Sequence, residues 1–345
     1  MAYTTIDKPT DYFNTVLYTG TGSDDTAITG VGFSPDWVWL KKRSATGGHF
    51  IQDRVRGATK SIYSDGNYAE DTVTTAHKSF DSDGFTLGTN SNVNVSSGTH
   101  VSWNWLADNT SGSSNTDGNT TSTVSANTTA GFSIVSYTGN GSNTSVGHGL
   151  GVAPDCMIVK CRSSNGTGWW VYHKSLGATK AIYLHDTAAS FTNDWLQDTA
   201  PTNSVFTLDN NGDTNGSSKT MIAYCFKEKQ GYSKFNSYTG NGSSDGSFIY
   251  LGFKPAWFML KSISGEAWNI YDNKRLGYND RNDQIKANTT GAEVNTSAWR
   301  IDILSNGVKI RGSDSAVNSS GTTYIYMAFA ENPFVTSSGI PTTAR

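Results

Sequence analysis

Short aromatic and β-branched runs recur along this chain every ~8–15 residues, with Gly, Asn, Asp and Ser between them, and this spacing predicts an all-β protein. The run Trp37-Val38-Trp39-Leu40 is apolar at both odd and even positions. A strand of that kind has both faces covered, which places it in the middle of a sandwich whose outer face is also packed. The run at 324–329 behaves alike, with Tyr324, Tyr326 and Ala328 opposing Ile325, Met327 and Phe329. In "ILSNGVKI" (303–310) the pattern predicts a hairpin turning on Asn306 and Gly307.

The runs also repeat as a set. "YTGTGS" (18–23) is nearly copied by "YTGNGS" at 137–142 and again at 238–243. Pro35, Pro154 and Pro255 follow Tyr18, Tyr137 and Tyr238 at one fixed interval, and Lys41, Lys160 and Lys261 follow the prolines at another. "RGATKSIYSDG" (56–66) is matched by "LGATKAIYLHD" (176–186) and, more loosely, by "LGYNDRNDQIK" (276–286). Each copy closes on an aromatic run: "VSWNWLAD" (101–108), "MIAYCFKE" (221–228) and "YIYMAFAE" (324–331). Ordered matches of this number divide the chain into three jelly-roll-like β-sandwich repeats, 14–108, 131–229 and 230–331. Residues 1–13 and 332–345 read as arms, frayed or docked on a neighbouring subunit. The polar tract 109–130 reads as a flexible linker that lets the first repeat stand apart, whereas "EKQG" (228–231) is short enough to make the second and third abut.

Composition removes several functions. A formal net charge of −3 argues against nucleic acid, and the one basic run, "KKR" (41–43), reads as a solvated strand end. No apolar stretch reaches the length of a membrane span, and the N-terminus does not read as a secretory signal. Three cysteines do not make a disulfide framework; Cys156 and Cys161 fall on opposite faces of one strand, and Cys225 belongs to another, so buried free thiols are expected.

Catalytic chemistry finds little support. The glycine phrases lack the Gly-Lys-Ser/Thr of a phosphate loop and read as turns. His49, His77, His100, His148, His173 and His185 show no metal-ligand spacing, and His148 and His173 read as surface groups of polar loops. Asp186, Asp194 and Asp198 could supply a glycosidase pair, with acidic surface loops as the ordinary alternative. "DNNGDTNG" (209–216) alternates oxygen ligands but lacks the closing Glu of a calcium loop, so a hairpin is expected, with no metal and no cofactor. Trp169, Trp170 and Trp268 remain as recognition candidates, just after Gly-containing turns. Such rings either stack on a sugar or fill a core or interface.

The opening "MAYTTIDKPTDYFNTVLYTGTG", the phrases "APDCMIVK" and "KPAWFMLK", "SDGFTLGTNSNVNVSSGTHVSWNWLA" and the ending "YIYMAFAENPF" resemble a family of bacteriophage virion structural proteins, tail-fibre-like and common in marine phages. The repeats are similar to concanavalin/laminin-G-like sandwiches. The resemblance implies a non-enzymatic virion surface protein, assembled in the host bacterial cytoplasm with itself, as a trimer, and with other virion proteins. It implies a tail appendage that binds a host glycan or outer-membrane protein, or alternatively a capsid decoration protein. A glycan-degrading virion enzyme is the third and weakest reading.

Overall fold

The phrase order of the sequence becomes a strand order. In a computed structural model, which describes residues 3–276, 278–279 and 283–333, strands Phe13–Thr19, Thr99–Trp105, Trp37–Lys42 and His49–Asp53 lie side by side in that order. Phe132–Thr138, Thr220–Phe226, Cys156–Cys161 and Trp169–His173 keep the same order, as do Ser233–Thr239, Thr323–Pro333, Phe253–Ser262 and Asn269–Asp272. All these neighbours pair antiparallel, with Trp37 opposite Trp105, Cys156 opposite Phe226, and Trp257 opposite Phe329. A smaller sheet faces each large one: Thr26–Thr29 with Gly84–Leu87 and His77–Asp81, then Thr144–Gly147 with Val205–Leu208, then Phe248–Tyr250 with Gly307–Ile310 and Ile301–Leu304.

The two faces of each large sheet have different fates. Period-two alternation sends Val38 and Leu40, Met157 and Val159, and Phe258 and Leu260 onto their own small sheets, making three separate cores. It sends Trp37 and Trp39, Cys156 and Ile158, and Trp257 and Met259 the other way, where they meet in one shared core. There Trp37 lies 4.6 Å from Tyr224 of the second sandwich, Trp105 lies 5.6 Å from Trp257 of the third, and Phe226 lies 5.9 Å from Phe329. The doubly apolar strands are thus buried on both faces, all six residues of Trp37–Lys42 included. Cys156 enters the shared core while Cys161 and Cys225 enter the second sandwich's own core, and all three thiols are free.

Several sequence expectations need correction. Residues 109–130 are not a loose tether: Ser113–Asn115 and Ser122–Asn127 are strands that extend the second sandwich's large sheet beyond Phe132–Thr138. The first sandwich does not stand apart, because its large sheet closes the shared core. The N-terminal arm docks within the chain, with the Tyr3 hydroxyl donating to the Gly252 carbonyl at 2.9 Å and Ile6 buried in the shared core. Of the expected C-terminal arm, Asn332 and Pro333 continue the last strand, and 334–345 lie outside the described residues. The 303–310 hairpin exists, but Leu304 pairs with Gly307, so Ser305 and Asn306 form its turn. Gly307 sits inside the strand because a Cβ there would come within 2.1 Å of the Ile249 carbonyl oxygen.

Candidate functional site

Three groups of side chains recur in each sandwich. The first explains the thrice-written phrase. Tyr18, Tyr137 and Tyr238 donate their hydroxyls to the carbonyls of Val93, Thr214 and Val317. Gly20, Gly139 and Gly240 follow, at places where a Cβ would lie within 2.3–2.4 Å of a carbonyl oxygen. Gly22, Gly141 and Gly242 then adopt φ near +70° (+74°, +71° and +71°), which only glycine takes without strain. Opposite each phrase stands a fully buried Asn, Asn94, Asn215 or Asn318. Each Asn takes a backbone N–H of the phrase on its oxygen and gives its amide to two backbone carbonyls that the turn leaves over. Sequence reading found the tyrosines and glycines and missed these asparagines.

The second group builds the seams. His49, Trp169 and Trp268 occupy one position of the fourth strand, as the registers Lys41 to His49 and Lys160 to Trp169 show. Each ring nitrogen bonds the carbonyl of a neighbouring sandwich: His49 to Lys286 at 3.0 Å, Trp169 to Tyr63 at 2.9 Å, and Trp268 to Tyr183 at 2.7 Å. First reaches third, second reaches first, and third reaches second, so the contacts close a ring with pseudo-threefold symmetry. The backbone repeats the cycle, with Glu70 N–H bonded to the Arg162 carbonyl, Glu293 to Arg43, and Ser190 to Ile263. Two of these junctions add ion pairs, Glu70 with Arg162 and Glu293 with Arg43. Burial would raise the Glu70 carboxyl, but Arg162 and Arg56 together hold it below its usual range.

Lys41, Lys160 and Lys261 point into these seams, following the Trp positions by alternation, and are fully buried. Their ammonium groups donate to carbonyls: Lys41 to Gly47 at 2.9 Å, Lys160 to Thr167 at 2.7 Å, and Lys261 across the seam to Asp186 at 2.7 Å. Burial pushes each of them down to about 8. "KKR" is therefore no solvated strand end, since Lys41 and Lys42 are buried and Arg43 pairs with Glu293. His148 and His173 are likewise fully buried, not surface groups; the His173 ring bonds the Tyr326 carbonyl of the third sandwich at 3.1 Å.

The remaining sequence candidates disperse. Trp169 and Trp268 lie in the shared core, and Trp170 lies in the second sandwich's own core with its indole N–H on Asp213. These rings are 0–4% exposed, and their faces are packed within protein. Pro35, Pro154 and Pro255 are buried at the entry to the central strands. Asp194 and Asp198 are exposed, while Asp186 belongs to the loop that receives Lys261. In 209–216 the oxygens are occupied locally, Asp209 by the Asn211 N–H and Asn211 by the Asp213 N–H. No cluster of His, Cys, Asp and Glu fit to hold a metal occurs among the described residues.

One cleft does present aromatic rings at the surface, and sequence reading missed it. It encloses about 420 Å³ on the first sandwich, beside Asn165 of the second. Phe50 and Tyr63 line its inner part with rings perpendicular and centroids 5.0 Å apart. Tyr68 stands at its edge, 56% exposed and 6.4 Å from Tyr63. Asp65, Asp71, Asn92 and Asn165 supply the polar lining. The Tyr63 hydroxyl donates to Asp71 at 3.2 Å, and Asp65 accepts the His49 N–H at 2.6 Å. Burial raises both the Tyr63 phenol and the Asp65 carboxyl. Such a lining can stack on a flat apolar face and bond hydroxyl groups around its rim.

No curated protein matches the chain. The profile of one family, described as "Domain of unknown function (DUF7483)", matches residues 8–333, a span that takes in all three sandwiches and their seams. The chain belongs to that family.

Proposed function

We propose that this chain is a non-enzymatic surface protein of a bacteriophage particle, a tail appendage that contacts the host. The virion setting comes from the resemblance of its phrases to virion structural proteins. The observation that carries the choice of role is the open cleft at Phe50, Tyr63 and Tyr68. Recognition needs exposed rings beside free acceptors, whereas a cement protein needs chiefly a complementary face. The rest of the molecule suits a rigid mount. Most of its indoles and five of its six imidazoles are fully buried, and the three buried lysines donate to backbone carbonyls within the fold. Three sandwiches round one axis are what a trimer of single-sandwich subunits would form, here in one polypeptide. In the particle it contacts other virion proteins and further copies of itself.

Gold labelling of intact particles with an antibody to the chain tests the placement. Label at the tail supports the proposal. Label over the head faces transfers it to capsid decoration, and particles free of label overturn both readings.

A further inference from the structure

The cleft is no by-product of the sandwich, because the second sandwich fills the same place. Phe50 and Tyr63 flank the bridge between Ile51 and Ile62, as Trp170 pairs with Tyr183 in the second copy. Asp71 pairs with Ser61 as Phe191 pairs with Ala181. In the second sandwich the Phe191 ring lies 5.5 Å from Trp170 and 4.8 Å from Tyr183, and Trp170 packs on Trp195 as well. In the first, a carboxylate replaces that phenyl ring and a phenyl replaces the indole. The third puts Asn269 and Lys286 at the paired positions and lays the Lys286 ammonium 4.5 Å over Trp299. One copy of three therefore leaves aromatic surface open beneath an exposed carboxylate. Packing alone gives no reason for this, since the phenyl of the second copy would bury more apolar area.

We infer that this cleft is a saccharide site that takes a neutral pyranose. Two tyrosines offer ring surface for the C–H face of a sugar, and Tyr68 stands exposed at the rim beside it. Asp71 is exposed and bonded to the Tyr63 phenol through one oxygen, which leaves acceptor sites for sugar hydroxyls, and the Asn92 and Asn165 side chains add amide groups. Charge narrows the class. Among the described residues neither Lys nor Arg lines the cleft, while Asp65 and Asp71 do, so uronic and other acidic sugars meet like charge. This inference deepens the recognition role proposed above, and its test needs only the purified chain.

Titration calorimetry of the full chain with maltotetraose, cellotetraose, chitotetraose and tetragalacturonate tests it. At least one neutral oligosaccharide binds saturably, and Tyr68→Ala weakens that binding about tenfold or more. Asp71→Phe, which copies the second sandwich's closure, abolishes binding and leaves the melting temperature unchanged or higher. The inference fails if no neutral oligosaccharide binds, if Asp71→Phe binds as well as the parent, or if tetragalacturonate binds equally tightly. Saccharide binding by a chain absent from the particle would sink the virion reading and keep the site. A tail-located chain that binds none of the neutral sugars would sink the site and keep the location.

Discussion

Asn94, Asn215 and Asn318 hold the three turn phrases from a distance of 73–77 residues along the chain. That distance is why they are illegible in sequence. The Tyr and Gly partners sit in one contiguous phrase, whereas each Asn lies far from it, in "SNVNV", "DTNGS" or "SAVNS", where Asn followed by Ser two residues on and Thr five residues on is the shared but weak signal. Replacing Asn215 with Ala leaves buried backbone groups of the phrase and its surroundings unpaired and should lower stability by about 2 kcal/mol, read from urea unfolding. A change within ~0.5 kcal/mol, the usual surface range, would show that the asparagine is dispensable.

Lys41, Lys160 and Lys261 were legible as repeat markers but not as buried groups, because lysine is ordinarily a surface residue. Their burial has a signed consequence. Each ammonium falls from 10.5 to about 8 in the folded chain, so above pH 8 the unfolded chain holds protons that the folded chain has released. Stability from these groups therefore rises with pH between about 8 and 10.5. Buried tyrosines, whose phenols are raised from 10.0, oppose the rise from pH 10 upward. The urea midpoint should climb from pH 8 to about 9.5, and Lys→Met at all three positions should flatten the climb. A midpoint that falls over that window in the parent protein would contradict the account.

On the acid side the imidazoles act. Burial holds His100 at about 4 and His173 at about 4, so between 6.5 and 4 the unfolded chain takes up protons that the folded chain refuses. Stability from these groups is complete above pH 6.5 and falls as the pH drops to 4. The third sandwich shows how His100 can be replaced. Tyr18 stacks on His100 at 5.0 Å just as Tyr238 stacks on Tyr324 at 4.9 Å. His100→Tyr should therefore fold and lose part of the acid sensitivity, measured as the urea midpoint at pH 4.5 against pH 7. An unchanged pH difference would count against the burial of this ring.

At the scale of elements, the central and closing strands were the most legible, because apolar residues on both faces leave few alternatives. Residues 109–130 were the least legible. Ser113–Asn115 is exposed on both faces, and Ser122–Asn127 buries little beyond Val124 and two serines, so neither shows an alternating apolar stripe. Polar sequence is what a terminal strand of a sheet carries, and hydrogen bonding to Phe132–Thr138, not apolar patterning, makes these residues strands. Proteinase K, which needs no basic residue, should leave no stable fragment beginning near residue 131. Accumulation of that fragment would restore the flexible linker. The 303–310 hairpin teaches a related lesson. Asn-Gly announces a turn, but the close approach of Gly307 to the neighbouring strand moves the turn one residue back.

For the whole molecule, the all-β class was readable, and mutual packing was not. The sequence marks three sandwiches and says little about which residues face one another across their seams. Those contacts involve different residues in each copy: an imidazole in one, indoles in two, backbone bonds at all three junctions and ion pairs at two of them. A single functional residue set was also not legible, because the cleft arises where one copy departs from its siblings at Phe50 and Asp71. Trp37→Ala, which empties the middle of the shared core, should cost ~3–5 kcal/mol and weaken all three sandwiches together.

That shared core is the central claim, and hydrogen exchange under increasing urea tests it most directly. Strands Thr99–Trp105, Thr220–Phe226 and Thr323–Pro333 come from the three sandwiches and line the same core. Mass spectrometry of peptides from each should show protection lost at one common urea concentration, as for a single cooperative unit. Loss of protection in Thr99–Trp105 while the other two strands stay protected would contradict the account and return the first sandwich to an independent domain.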